Sequence, residues 1–174
     1  MAIIVKNRYM SIKTYNKTTG NTMLNKYNTG SLMTGGLFIT GAIIVSNFNV
    51  QDYFTRHCVG LFIFLLSGAL DIYMWCLIAY AMNDVSTGRF RAKLLVIYCI
   101  IATASPLLHV YSMTLFPEVS DSYTMRLLWN SSQPGYAVHV VSGALEYCIC
   151  IILVVYANQF VHDYNYKSSE KLKV

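Results

Sequence analysis

Charge is scarce in this chain. Asp, Glu, Lys and Arg make up 12% of its 174 residues, about half the share of a soluble domain. Eight acidic and 13 basic residues are too few to coat a water-facing surface, so a soluble globular fold is excluded. The polar stretches lack cysteine. The five cysteines, at 58, 76, 99, 148 and 150, all lie in or beside apolar runs. An odd, embedded set is no disulfide framework, and small apolar filler is the expectation for all five. Their absence from the connecting segments also disfavours tetraspanin- or claudin-like adhesion. The chain has no strict GxxxG, HxxxH, HExxH or phosphate-binding loop, and no nucleophile–base pair. We therefore expect no enzyme, cofactor or metal. Met1–Val5 is too short for the core of a signal peptide, and Lys6 follows directly. Internal repeats and low-complexity tracts are absent.

What the chain has is apolar length. Hydrophobic residues make up 55%, and four runs stand out, at about 30–48, 57–82, 93–116 and 136–161. About 20 residues at 1.5 Å each cross a hydrocarbon core of roughly 30 Å. The last three runs are too long for buried soluble helices. Lipid offers the backbone no hydrogen-bond partners, so a helical bundle is the fold expected for such runs. The expected fold is all-α, a polytopic transmembrane helical bundle with four full spans. Residues 1–29 form an N-terminal polar segment, 30–161 the transmembrane domain and 162–174 a tail.

The basic residues orient these spans. Residues 1–29 carry Lys6, Arg8, Lys13, Lys17 and Lys26, the second connection Arg89, Arg91 and Lys93, and the tail Lys167, Lys171 and Lys173. The other two connections hold only Arg56 and Arg126. Eleven of 13 basic residues thus share one side, which places both termini and residues 83–92 in the cytosol. The net charge of +5 is explained by this flanking, so the partner is the lipid bilayer, with membrane proteins as further partners and no nucleic acid. The segment 117–135 then faces outward. Its sequon Asn130-Ser131-Ser132 makes Asn130 a glycosylation candidate, while Asn16-Lys17-Thr18 on the cytosolic side stays bare.

A few polar groups fall inside the spans, where they are costly. His139, Ser142, Gly143 and Glu146 lie at i, i+3, i+4 and i+7, one face of the last helix, and are expected to turn inward. Asp71 lies near the middle of the second span, at a depth comparable with Glu146. His139, Ser142, Glu146 and Asp71 therefore form a candidate intramembrane polar network. Its bland role is hydrogen bonding between helices, with Ser67, Tyr73 and Ser142 as partners for the acids. Its sharper role is ion, proton or lipid handling. His57, His109 and His139 each lie near the outer end of a span and form a candidate lumenal histidine cluster. Three imidazoles on one rim could bind zinc or sense acid, but without a ligand-spacing motif separate histidines are the better reading. Pro106 should bend the third span. Gly35, Gly36, Thr40 and Gly41 in the first span, and Gly60, Ser67 and Gly68 in the second, supply small faces for close packing.

The order of short motifs resembles the C-terminal four-span part of the DRAM/Frag/Sfk membrane family, the DNA-damage-regulated autophagy modulators and their relatives. The motifs are Leu24-Asn25-Lys26, Val45-Ser46-Asn47-Phe48, His57 with Gly60, Gly68 with Tyr73, and Trp129 with Pro134-Gly135-Tyr136. They continue with His139, Ser142, Glu146, Phe160 and Asp163, so that the match covers residues 24–165. The resemblance implies a family of six spans. Ala2-Ile3-Ile4-Val5, followed by Lys6 and Arg8, resembles the remnant of a further span. It also implies a non-enzymatic regulator of autophagy at lysosomal or other endomembranes. On the Sfk side it implies a modulator of plasma-membrane phosphoinositide kinase assemblies. Two other classes compete with these. One is a membrane-embedded lipid-remodelling enzyme using the histidines with Asp52 or Glu118. The other is a proton or ion pathway lined by Asp71 and Glu146.

Overall fold

A computed structural model describes residues 2–48, 53–116 and 129–171, with side chains described from 3 to 159 within those ranges. Among the described residues the regular structure is helical throughout: α1 (Ala2–Thr19), α2 (Thr22–Asn47), α3 (Phe54–Ala81), α4 (Val85–Leu115) and α5 (Tyr136–Lys171). The helices α2, α3 and α4, and the Tyr136–Gln159 part of α5, are each long and apolar enough to cross a membrane. The protein is an integral membrane protein. The chain forms two compact units, Met1–Val96 and Ile97–Val174, with the boundary inside α4.

In the first unit α2 packs along α3, and α1 along α2. Phe38 and Phe64 stack with ring centroids 4.7 Å apart. A Cβ on Gly41 would lie 2.5 Å from the Phe64 amide nitrogen, and one on Gly60 2.5 Å from an Ile44 methyl group. These two glycines set the helix separation, Gly41 by admitting the Phe64 backbone and Gly60 the Ile44 side chain where a Cβ would collide. Of the small residues expected to pack, Gly36 and Thr40 instead face outward, and the Thr40 hydroxyl donates back to the Gly36 carbonyl.

Residues 2–29 lie almost wholly in helix. They form α1 and the first turns of α2, joined by a turn at Gly20, whose φ is +63°. Asn21 caps α2 by accepting from the Met23 and Leu24 amides. Helix α1 runs antiparallel to α2: the Asn28 side chain donates to the Tyr9 carbonyl, and Val5 lies against Gly35. The face Val5–Arg8–Ile12, at i, i+3 and i+7, is the one turned inward.

The connection from α3 to α4 is equally short. Asn83 adopts φ +60°, the Asp84 amide donates to the Ala79 carbonyl and the Asn83 amide to that of Tyr80. This paired closure ends a helix on a left-handed residue, a place Asn tolerates. Asp84 then caps α4 through the Thr87 amide and the Ser86 hydroxyl. Arg89, Arg91 and Lys93, expected in or beside a ten-residue connection, therefore lie on α4 itself.

In the second unit α4 stays helical through Pro106. The hydroxyl of the buried Ser105 donates to the Ser142 carbonyl, tying α4 to α5.

Candidate functional sites in the two units

Each unit contains one concentration of polar groups inside its apolar helices. In the first, Asp71 lies ten residues before the end of α3, about 15 Å along the helix axis, and is 6% exposed. Its carboxylate accepts from the Thr34 hydroxyl at 3.2 Å and pairs with the Arg8 guanidinium at 3.5 Å. The same guanidinium lies 4.1 Å over the Trp75 ring. Arg91, 2% exposed, reaches the ring from α4 at 5.7 Å and donates to the Trp75 carbonyl. All four helices of the unit meet here. A carboxylate at this depth is tolerable only with a cation and donors around it, and cation–π contact lets one indole face both guanidinium groups.

Asp71 thus finds its partners in Thr34 and Arg8, rather than in Ser67 or Tyr73. The Ser67 hydroxyl bonds back to Ile63, and Tyr73 is exposed. Sequence reasoning missed Arg8, counting it only as an orienting charge. The signal was present in the spacing Val5, Arg8, Ile12, which puts the guanidinium on the apolar face of α1.

In the second unit the turn 129–135 shapes the site. The Gln133 side chain accepts from the Asn130 amide, and the Trp129 indole donates to the Pro134 carbonyl. Gly135, at φ +77°, lies so close to the Ser112 carbonyl that a Cβ would sit 2.5 Å from it. Trp129 is thereby laid flat over the first turn of α5, stacked on His139 with centroids 4.7 Å apart and planes 24° from parallel. His109 of α4 stands 5.3 Å from the same imidazole.

Beneath these rings opens a cleft of about 410 Å³ lined by His109, His139, Ser142, Gly143 and Glu146, continuing to Tyr147 and Cys150. Ser142 is wholly buried, yet its hydroxyl has no hydrogen-bond partner, and neither has the buried Nδ1 of His139. Glu146 is exposed along the cleft. Asn130 is exposed too, its amide oxygen accepting from Ser132.

The three grouped histidines therefore have different surroundings. His109 and His139 meet in the second unit. His57 belongs to the first, with Nδ1 2.7 Å from the Phe48 carbonyl oxygen. Likewise Asp71 belongs to the first unit and His139, Ser142 and Glu146 to the second. Among the described residues no three of His, Cys, Asp and Glu converge as metal ligands. Asp52, Glu118, Asp121 and Asp163 lie outside the residues whose side chains are described.

Comparison with known proteins gives one consistent answer. The Frag1/DRAM/Sfk1/Cwh43P N-terminal domain family matches residues 1–166. The human DNA damage-regulated autophagy modulator protein 2 is 25% identical over 142 residues, covering 80% of this chain and 53% of the relative. The bovine protein of that name is 23% identical over the same shares. The mouse protein is 24% identical over 148 residues, covering 82% of this chain and 54% of its own length. The chain thus spans about half the length of these relatives. No solved structure matches it.

Proposed function

The chain belongs to the Frag1/DRAM/Sfk1/Cwh43P family, and from that premise we propose that it is a non-enzymatic membrane regulator of autophagy, resident in lysosomal or other endomembranes. The observation that carries this reading is the family match over 1–166, together with relatives named as autophagy modulators. The architecture is in keeping with it. Four apolar helices hold their few ionisable groups in a packed cluster and a membrane-level cleft, an arrangement suited to protein or lipid contact within the bilayer.

Both termini face the cytosol. Arg8 and Arg91 are taken up by the buried cluster, but setting them aside leaves nine basic residues on that side against two on the other, and the sign of the bias is unchanged.

The test removes the chain from cells and measures lysosome-dependent turnover of lipidated autophagosome marker, while a tagged copy is localised. The reading requires altered turnover, restored by the tagged copy, and co-location with endomembranes. Unchanged turnover with plasma-membrane location would reject it in favour of a modulator of phosphoinositide kinase assemblies.

A further inference from the structure

We infer that the α4–α5 cleft of the second unit is a binding site for a neutral lipid with a hydroxyl headgroup. Four observations carry this, and none depends on the autophagy reading.

The first is unmet hydrogen-bonding capacity. The Ser142 hydroxyl and the His139 Nδ1 are buried without partners, and both residues line the cleft. An unsatisfied polar atom away from water is costly. With its proton on Nε2, the imidazole offers an acceptor at Nδ1, and the serine hydroxyl offers a donor. A ligand hydroxyl, which is both donor and acceptor, matches the chemistry of either atom.

The second is charge. Glu146 lines the cleft, and no Lys or Arg is among its lining residues. A phosphate headgroup would meet a carboxyl group and no lysine or arginine, whereas a neutral hydroxyl carries no charge for Glu146 to oppose.

The third is position. The cleft lies within the Tyr136–Gln159 span, and Tyr147 on its wall is 75% exposed. It therefore opens at a level where the surroundings are acyl chains, and its occupant arrives from the bilayer. Trp129 on His139 closes the end near Tyr136, so the head seats beneath the rings and the apolar body runs past Gly143 towards Cys150.

The fourth is space. A Cβ built on Gly143 meets nothing within 4 Å, so the floor of the cleft is empty at that point. Its volume of about 410 Å³ falls within the range of small-molecule sites, roughly 300–1,000 Å³.

The experiment uses the full chain in phosphatidylcholine nanodiscs with three photoreactive probes: a sterol bearing its hydroxyl, a diacylglycerol and a phosphatidic acid. At least one hydroxyl probe should crosslink to α5, and phosphatidic acid should stay at background. The sterol and diacylglycerol arms identify which body the cleft prefers. Gly143→Leu places a side chain where a Cβ meets nothing within 4 Å and should cut labelling about tenfold, a change equivalent to one decade of affinity. Ser142→Ala removes one hydrogen bond and should cut it about fivefold. Gly36→Leu, at an outward-facing glycine of the first unit that also has open space, should change nothing. Thermal unfolding of each variant checks that the fold is intact. The inference is overturned if neither hydroxyl probe labels α5, if phosphatidic acid labels it equally, or if well-folded Gly143→Leu and Ser142→Ala label like the parent. A failed rescue of autophagic turnover would leave the labelling result standing.

Discussion

In Met1–Val96 the buried carboxylate of Asp71 is met by Thr34 and Arg8, and Trp75 is faced by two guanidinium groups. In Ile97–Val174 the Ser142 hydroxyl and His139 Nδ1 are buried with no hydrogen bond, beside a cleft that opens at Gly143 and Glu146. Both regions contain polar atoms inside apolar helices; in the first, a carboxylate, two guanidinium groups and an indole from different helices contact one another. A paired cluster joining four helices fixes their arrangement. A cleft with capacity left over trades stability for the ability to take something in. The same contrast appears in the glycines: Gly41 and Gly60 are filled to contact, and Gly143 faces open space.

The severest way to break this comparison is to remove a member of the paired cluster. Arg8→Met removes a guanidinium from the buried Asp71 carboxylate and should cost about 3–5 kcal/mol, read as loss of folded protein in detergent thermal unfolding. The double variant Arg8→Met, Asp71→Leu should recover most of that loss. A neutral Arg8→Met would mean the cluster does not hold the unit together.

The glycine contrast is sharpened by one substitution in each unit. Gly41→Val drives a side chain into the Phe64 backbone and should lose about 1–3 kcal/mol. Gly143→Ala meets nothing and should gain up to about 1 kcal/mol from helix propensity alone. Equal effects in the two units would erase the distinction between contact and open space.

A hydroxyl in each unit gives the next test. Thr34→Val deletes a donor to a buried carboxylate and should cost about 1.5–3 kcal/mol, whereas Ser142→Ala deletes a hydroxyl without a partner and should be neutral or slightly stabilising. Both are measured as shifts in unfolding midpoint without added lipid.

The smallest effect lies at the α3–α4 turn. Asn83→Gly should stabilise slightly, and Asn83→Val should destabilise by about 1 kcal/mol, because a branched residue resists φ +60°. Burial of Asp84 works against its charge. The Thr87 hydroxyl and amide, the Ser86 hydroxyl and Arg91 outweigh this and hold the carboxyl below its ordinary value. A lowered folded-state pKa means the cap's contribution is complete above the unfolded value, about 3.9, and is lost as pH falls through the folded one. The turn should therefore be as stable at pH 5 as at pH 7. An Asp84→Ala variant, down by about 1 kcal/mol, should differ from the parent less and less below pH 4. Hydrogen exchange at the start of α4 reads this directly.

How far the sequence could be read follows from the kind of information each feature needs. The four spans were legible because a run of about 20 apolar residues has one stable form in lipid. The starts of the helices that carry them were not. Helix α2 begins at Thr22 and not near 30, and α4 at Val85 and not near 93, because Asn21 and Asp84 set those ends by capping while apolarity counts only what lies in hydrocarbon. The shared face of His139, Ser142, Gly143 and Glu146 was legible from helical spacing, and all four line one cleft. Grouping His57 with His109 and His139 rested on depth along the spans, and the three divide between the two units. Depth follows from counting residues along one helix, but neighbours depend on how that helix is rotated and what packs against it.

The sequence by itself therefore determined that this is an all-helical membrane protein of a recognisable family, where its ionisable residues fall along each span, and which of them share a face. Those properties follow from helical geometry and the cost of bare backbone in lipid, and both are local. Tertiary structure alone decided that Arg8 leaves the orienting charges to pair with Asp71, that Trp129 folds back over His139, and that Ser142 is buried without a partner. Each of these depends on side chains from distant segments meeting across a packed interface, and no periodicity within one helix encodes that meeting.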